Sequence, residues 1–278
     1  MTVIAQISDT HFGSEQMPVV RALERLIHDT APSLVVLSGD ITQRATRAQF
    51  HAARDFIDRL QVPATLAIPG NHDIPLFQLG ARVFSPYGRY MESFGTELEP
   101  VFESPEWLVV AVNTTRWYRQ KNGEVSRAQI DRVVRRLAGA APGQVRAVIT
   151  HQPVLVTRPE DRGNRLIGAA EALRRWSAAG ADLVLGGHIH LPYVRPAHEG
   201  EVGVKRALWA VQAGTAVSSR VRAGKPNSVN LLRNHTDASA RYCTVERWDH
   251  SAVSDRFECT HSHRLPLADI MTVDATDA

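Results

Sequence analysis

Short apolar runs recur along the chain, and helical patterns separate several of them. Six runs have the length and composition of buried strands: Val3–Ile7, Leu34–Leu37, Ala64–Ile68, Leu108–Val112, Val145–Ile149 and Leu183–Leu185. Apolar residues at helical spacing predict amphipathic helices over residues 18–28 and 47–60. Ser126 and Gln129 have the spacing of a capping box, which predicts a third helix directly after them. The alternation of strands and helices predicts an α/β domain with parallel strands at its centre.

The pattern changes from about Lys205 onward, where apolar residues no longer recur at helical spacing. Short apolar runs are separated there by Gly, Pro, Asn and Asp, which predicts antiparallel strands. These runs are Leu208–Val211, Val229–Leu232, Tyr242–Val245 and Arg256–Cys259. Because no linker-like segment divides the chain, we predict a single domain over residues 1–265 and a flexible C-terminal tail over residues 266–278.

Composition restricts the class of protein further. Hydrophobic residues make up 44% of the 278 residues and charged residues 22%, which excludes disordered and fibrous proteins. The two cysteines, Cys243 and Cys259, cannot form a disulfide framework, and reduced thiols are the simplest interpretation. No apolar run approaches the roughly 18 residues of a membrane helix, and no signal sequence is evident, so we expect a cytoplasmic protein without a membrane span. The net charge of +3 gives only weak support to nucleic-acid binding.

Potential metal ligands follow most of the predicted strands. Ligand sites in α/β sheets lie beyond the carboxyl ends of the strands, so these side chains are expected to meet. The residues are Asp9, His11, Asp40, Asn71, His151, His188 and His190. Taken singly, each has a simpler interpretation as a cap, a turn residue or a buried histidine. Together they supply carboxylate, imidazole and amide ligands in a number that exceeds the needs of one ion, which predicts a two-metal site.

The order of these residues resembles the pattern of the calcineurin-like metallophosphoesterase superfamily. Its elements are Asp-x-His, Gly-Asp, Gly-Asn-His-Asp, a lone His and Gly-His-x-His, and in this chain they extend from Asp9 to His190, about two thirds of its length. The resemblance implies a four-layer α-β-β-α sandwich in which two mixed sheets are flanked by helices. This expectation agrees with the α/β pattern derived above.

The resemblance also implies a role for each matched residue. One metal ion would be held by Asp9, His11, Asp40 and His190, and the other by Asp40, Asn71, His151 and His188, so that Asp40 bridges the pair. The ions would be divalent Mn, Fe, Zn or Co, with Mn or Fe favoured, and a hydroxide bridging them would attack the phosphorus. His72 would face the substrate as a catalytic acid, although it could also simply brace its loop. Gln43 and Asp73 are alternative partners for orienting His72.

Within the superfamily, the sequence looks most like the bacterial class III cyclic nucleotide phosphodiesterases and glycerophosphodiesterases. We therefore predict hydrolysis of a small-molecule phosphodiester. A phosphomonoesterase and a DNA exonuclease remain alternatives, with nucleic acid the less favoured substrate, and a noncatalytic metal-binding scaffold is a further one. The sequence also leaves open whether the protein forms a homodimer.

Residues outside the metal motifs could select the substrate. Arg44 and Arg116 lie just after strand ends and are candidates to bind phosphate or a base. An insertion over residues 76–94 contains Arg82, Tyr87, Arg89 and Tyr90 and could form a basic and aromatic wall, or an ordinary surface helix. The basic loop 220–225 could contact a phosphate chain or another subunit, or be solvated.

Overall fold

Two six-stranded sheets form the centre of the molecule in a computed structural model that describes residues 2–199, 203–222, 224–236 and 241–268. In chain order the strands are β1 (Val3–Ile7), β2 (Leu34–Ser38), β3 (Thr65–Ile68), β4 (Val101–Glu103), β5 (Trp107–Ala111), β6 (Val145–Ile149), β7 (Leu183–Gly186), β8 (Tyr193–Pro196), β9 (Trp209–Gln212), β10 (Ser228–Thr236), β11 (Arg241–Ser251) and β12 (Arg256–Pro266). The α-helices are α1 (Met17–Thr30), α2 (Arg47–Leu60), α3 (Leu79–Phe84), α4 (Gly88–Phe94), α5 (Arg127–Ala138) and α6 (Ala169–Ala178).

Both sheets are mixed. The first has the order β12-β11-β10-β1-β2-β3, in which β1, β2 and β3 are parallel and the β10, β11 and β12 side is antiparallel. The second has the order β4-β5-β6-β7-β9-β8, with β5, β6, β7 and β9 parallel and an antiparallel strand at each edge. The parallel strands place the carboxyl ends of β1, β2 and β3 at one edge and those of β6 and β7 at another.

Three hydrophobic clusters define the layers of the sandwich. On the outer face of the first sheet, Ala5 and Ile7 pack with Leu23 of α1 and Phe56 of α2. A second cluster joins the outer face of the second sheet to α5 and α6 and includes Val110, Val133 and Trp176. The third cluster lies between the sheets, where Ile4 and Leu34 pack with Trp107 and Val109. Alternate residues of β1 therefore enter different cores, because successive side chains of a strand point to opposite faces.

The predicted fold is confirmed, including the four layers. The capping box is formed, since Ser126 accepts a hydrogen bond from the Gln129 N–H and the Gln129 side chain accepts one from the Ser126 N–H. The apolar run that becomes β9 was expected in the antiparallel region, but β9 lies in the second sheet, parallel to β7 and antiparallel to β8. The edge strands β4 and β8 and the helix α6 were not predicted, whereas α3 and α4 lie in the insertion over residues 76–94, for which a surface helix was one of two alternatives.

The remaining expectations concern the chain's end, its cysteines and membrane spans. Residues 269–278, most of the predicted tail, lie outside the described residues, whereas Pro266 ends β12 and Leu267 is buried. Cys243 is buried and Cys259 is exposed, and both are free thiols. In the described part of the chain, no helix has the length and apolar character needed to cross a membrane.

Candidate metal centre

The seven predicted ligands meet where the loops after β1, β2, β3, β6 and β7 converge. The Nε2 atom of His190 lies 3.3 Å from Oδ1 of Asp9, and Nε2 of His151 lies 3.2 Å from Oδ1 of Asp40. Nε2 of His151 is also 3.2 Å from the amide oxygen of Asn71. The side chains form three sets of potential metal ligands. Within each set, the ligand atoms lie within 4.8 Å of one another, and the sets are Asp9, His11 and His190; His11, Asp40 and His72; and Asp40, His151 and His188.

Backbone strain is concentrated in these ligands. Their φ angles are 52° at Asp9, 43° at His11, 48° at Asp40, 75° at His188 and 53° at His190, so five of the predicted ligands adopt the left-handed conformation. Residues with a β-carbon rarely adopt this region, and strain of this kind collects at functional sites. The bends lie in the loops whose side chains meet in the cluster.

Glycines make room for the ligands at two of the strand exits. Gly39 has a φ of +96°, and a β-carbon there would collide with the imidazole of His151. A β-carbon on Gly187 would collide with Ser8 and approach the Asp9 carboxylate. The close approach of backbone to ligand explains why these exits carry glycine.

Backbone carbonyls orient two of the histidines. Nδ1–H of His151 donates to the carbonyl oxygen of Ser38 at 2.8 Å, and Nδ1–H of His190 donates to that of Arg220 at 2.5 Å. A carbonyl can only accept, so each ring keeps a proton on Nδ1, and when the ring is neutral its Nε2 lone pair faces the cluster. This second-shell arrangement is typical of metal-binding histidines.

Buried nitrogen atoms in the cluster lack the partners that their burial requires. Both ring nitrogens of His188 and Nδ1 of His11 have no hydrogen-bond partner among the described residues. Nε2 of His11 lies 3.1 Å from Nε2 of His190, so two imidazole nitrogens face each other at the centre of the cluster. Because buried polar atoms are normally satisfied, these orphaned nitrogens fit a site for divalent cations.

Burial and mutual charge set the ionisation of the cluster. Burial is the main cause that lowers the pKa of His11 and of His188 to about 3, which keeps both rings neutral and available as ligands. Burial alone would raise the pKa of Asp9, but the neighbouring His190 outweighs it and lowers the value to about 2. Burial alone would lower the pKa of His151, but the adjacent Asp40 carboxylate raises it to about 9.

Asp73 joins two of the ligand loops. Its carboxylate accepts hydrogen bonds from the backbone N–H groups of Ile41 at 3.0 Å, Thr42 at 2.8 Å and Gly70 at 2.8 Å. Burial, together with the Asp40 charge, raises the pKa of Asp73 to about 6. The hydrogen bonds hold the loop after β2 against the loop after β3, so Asp73 fixes the spacing of Asp40 and Asn71.

His72 is oriented by a backbone group. Its Nδ1–H donates to the carbonyl oxygen of Gln43 at 3.0 Å, and its backbone N–H donates to Oδ1 of Asp40 at 2.8 Å. Neither alternative partner considered from the sequence, the Gln43 side chain or Asp73, holds the ring in this structure. The Gln43 side-chain oxygen instead accepts from Arg220, whose Nη1 also lies 3.1 Å from Nε2 of His72.

A cleft of about 840 Å³ opens over the cluster, and only one of the two predicted substrate residues lines it. Arg44 lies in its wall, together with His72 and Arg220. Arg116 does not line the cleft, because its guanidinium is held by Glu124 at 3.2 Å and donates to Gln129 and to backbone carbonyls.

Two further basic segments were considered from the sequence, and each supplies part of the wall. Arg89 of the insertion lines the cleft, whereas Arg82 donates to backbone carbonyls, Tyr87 bonds to Thr115 and Tyr90 is buried in the core. In the basic loop, Arg220 reaches His72, but no local pattern distinguished it from the other basic residues there.

Comparison with known proteins places this geometry in a family. The family model for calcineurin-like phosphoesterases matches residues 2–192. A probable cyclic nucleotide phosphodiesterase from Synechococcus sp. is 29% identical over 214 residues, which cover 69% of this chain and 74% of the relative.

Solved structures show the same fold at low sequence identity. The purple acid phosphatase from yellow lupin (Lupinus luteus) has a TM-score of 0.70 at 11% identity, over 95% of this chain and 53% of the lupin enzyme, so the chain spans about half the length of that protein. A dimetal phosphatase from Danio rerio has a TM-score of 0.57 at 11% identity, over 96% and 99% of the two chains. With its family match over residues 2–192, the chain belongs to the calcineurin-like phosphoesterases.

Proposed function

We propose that this protein is a dinuclear-metal phosphodiesterase that acts on small-molecule diesters. Asp9, His11 and His190 would hold one ion, and Asn71, His151 and His188 the other, with Asp40 shared between them. The observation that carries the proposal is the set of buried histidine nitrogens without partners, described above, at the point where both ligand sets meet. The ligand types suit Mn or Fe as well as Zn and Co.

The bound ions would supply Lewis acidity, which lowers the pKa of coordinated water and neutralises charge on the phosphate. The protein's own residues supply orientation. The carbonyl oxygens of Ser38 and Arg220 accept hydrogen bonds from His151 and His190, respectively. Both rings are therefore already oriented to bind the ions. No side chain in the cluster is required as a nucleophile.

His72 is the residue we assign to the leaving group. The Gln43 carbonyl holds its Nδ1 proton, which leaves Nε2 facing the cleft. Arg220 donates toward Nε2 in this structure, so a proton at Nε2 requires that Arg220 turn to another acceptor, such as a phosphate oxygen of the substrate. His72 could then donate its Nε2 proton to the departing oxygen.

The preference for a diester has support from the Synechococcus relative, whose name is that of a probable cyclic nucleotide phosphodiesterase. The test compares bis(p-nitrophenyl) phosphate with p-nitrophenyl phosphate as substrates of the protein reconstituted with Mn²⁺. We expect a higher kcat/KM for the diester and two metal ions per chain, counted by elemental analysis.

The variant Asp40→Asn tests the metal assignment. It keeps the size of the side chain but removes the charge that both ligand sets share, so we expect the loss of at least one ion and of nearly all turnover. The matched control is Asp58→Asn, which changes an exposed carboxylate on α2 that pairs with Arg54. Preference for the monoester would replace the diester assignment, and full activity of Asp40→Asn with two ions would refute the metal assignment.

A further inference from the structure

In the part of the chain that the structure describes, three guanidinium groups line the cleft without a carboxylate within 4 Å. The Arg44 guanidinium carbon lies 5.4 Å from the centre of the Phe77 ring. Arg89 donates to the carbonyl oxygen of Ala45 at 2.9 Å and to the side chain of Gln78. Arg220 donates to the Gln43 side chain at 3.1 Å. Among the described residues, Arg89 and Arg220 therefore donate to neutral carbonyl and amide oxygens.

Arg222, in the same wall, differs from these three arginines because a carboxylate of the protein neutralises its charge. Its Nη1 donates to both oxygens of Asp161, at 3.0 and 2.9 Å. Asp161 and Asp40 are the carboxylates in the wall, and Asp40 belongs to the metal cluster. Among the described residues that line the cleft, the basic side chains therefore outnumber the carboxylates.

The unpaired arginines fall into two positions. Arg220 contacts His72 and so lies beside the cluster where the scissile phosphate would bind. Arg44 and Arg89 contact the neighbouring residues Phe77 and Gln78, in the segment that precedes α3. One phosphodiester carries a single negative charge, which the metal ions and Arg220 already meet, so Arg44 and Arg89 are available for a second anion.

Phe77 adds an apolar surface at this second position. It lines the cleft and is 74% exposed, so its ring is open to contact by a ligand. Guanidinium groups bind phosphate through charge-assisted hydrogen bonds, and an exposed aromatic ring stacks against a base. The combination fits a nucleotide.

We propose that the cleft takes a nucleotide phosphodiester that carries a second phosphate, with Arg44 and Arg89 as the residues that bind the second phosphate. The inference rests on the proposed phosphodiesterase function and names the class of its substrate. It makes Arg44 and Arg89 determinants of specificity, separate from the metal cluster.

The test uses two chromogenic substrates that share the same scissile bond. Thymidine 5′-(p-nitrophenyl phosphate) and its 3′-phosphorylated derivative both release p-nitrophenol from a 5′ diester, and only the second carries another phosphate. We expect kcat/KM to be about 10- to 100-fold higher for the 3′-phosphorylated substrate, the range that one or two hydrogen bonds to a charged group provide. The double variant Arg44→Gln/Arg89→Gln should bring the ratio of the two kcat/KM values close to one.

Arg54→Gln is the matched control, because Arg54 is an exposed arginine of the adjacent helix α2 that pairs with Asp58 and does not line the cleft. It should keep the ratio of the parent protein. A ratio near one in the parent, with both substrates hydrolysed, would overturn the second-phosphate site and leave the phosphodiesterase intact. Hydrolysis of neither substrate by protein with two bound ions would instead refute the proposed function.

A binding measurement gives a readout that does not depend on turnover. By calorimetry, thymidine 3′,5′-bisphosphate should bind the EDTA-treated protein more tightly than thymidine 5′-monophosphate, and the double variant should remove the difference. Equal affinities in the parent protein would contradict the inference. Competition by the bisphosphate alone would identify a small nucleotide as the source of the second phosphate, whereas equal competition by single-stranded oligothymidylate would identify a nucleic-acid end, and either result supports the site.

Discussion

Metal binding should compete with a proton on His151. The ring lies 3.2 Å from the Asp40 carboxylate, and this pairing raises the pKa of His151 to about 9 against the lowering effect of burial. A metal ion at Nε2 must displace that proton, because only the neutral imidazole is a ligand. At pH 7, about two units below this pKa, the apparent affinity should be about 100-fold weaker than above pH 9, or about 3 kcal/mol.

The assay is a titration with Mn²⁺ at several pH values between 6.5 and 8.5, followed by calorimetry in buffers of different ionisation enthalpy. The logarithm of the affinity should rise by about one for each pH unit, with release of about one proton per ion bound at that site. His151→Gln should reduce this slope, whereas His51→Gln, a change on the exposed side of α2, should preserve it. An affinity that does not change with pH in the parent protein would refute the reasoning.

The same pair predicts the opposite trend for the metal-free protein. The folded-state pKa of His151 lies above its ordinary value of 6.5, so the stabilisation from its pairing with Asp40 is complete below pH 6.5 and is lost as the pH rises through 9. The shift corresponds to about 3 kcal/mol, and His190, whose pKa is also raised, acts in the same direction. Urea unfolding in EDTA at pH 6.5 and pH 9 measures this loss, and a metal-free protein that is more stable at pH 9 would contradict it.

Two further predictions concern His72 and Gly39. His72→Ala should slow hydrolysis of a diester with an alkyl leaving group by about 100-fold and that of bis(p-nitrophenyl) phosphate far less, since p-nitrophenolate departs without a proton; equal losses would make His72 a structural residue. Gly39→Ala should destabilise the protein by more than the cost of its φ of +96°, about 1–3 kcal/mol, and should impair metal binding, because the new methyl group meets His151. Gly143→Ala, at a φ of +87° with open space around it, is the matched control for urea unfolding and metal content, and equal effects of the two changes would remove the steric argument.

The strands that the sequence predicts well are those buried on both faces. Val3–Ile7 and Val145–Ile149 have the bounds expected from their apolar runs. A strand that is buried on both faces is apolar along most of its length, because burying apolar side chains is what stabilises it, so the run marks where the strand begins and ends. The edge strands lack this signal. Val101–Glu103 has three residues, all partly or fully exposed, and Tyr193–Pro196 includes an arginine and a proline. Their pairing is set by the neighbouring strand rather than by their own composition.

In the candidate site, too, some residues can be predicted from the sequence and others cannot. Asp9, Asp40 and His151 follow buried strands directly, so the topology of the sheets locates them once the strands are identified. Arg220 lies 148 residues after His72 in the chain, and its contact with that ring depends on how the loop after β9 folds back. Arg116 follows a strand as the metal ligands do, yet its long side chain turns to Glu124, which position in the sequence alone does not determine.

The hydrogen bonds around the strained ligands explain how one fold can serve different substrates. Asp9 N–H donates to the Gly39 carbonyl and His11 N–H to the Asp40 carbonyl, both at 3.0 Å, so the loops after β1 and β2 stay paired beyond the ends of the strands. These bonds hold Asp9, His11 and Asp40 in place through the backbone of the ligand loops themselves, whereas His190 is also held by the carbonyl of Arg220. Of the arginines in the cleft wall, Arg89 belongs to α4 and Arg220 to the loop after β9, whereas Arg44 lies in the loop after β2 and its side chain reaches Phe77. Changes in the side chains of Arg44 and Arg89 could therefore alter the substrate while the backbone that holds the metal cluster stays intact, so these two residues, rather than the ligands, should determine which diester this chain hydrolyses.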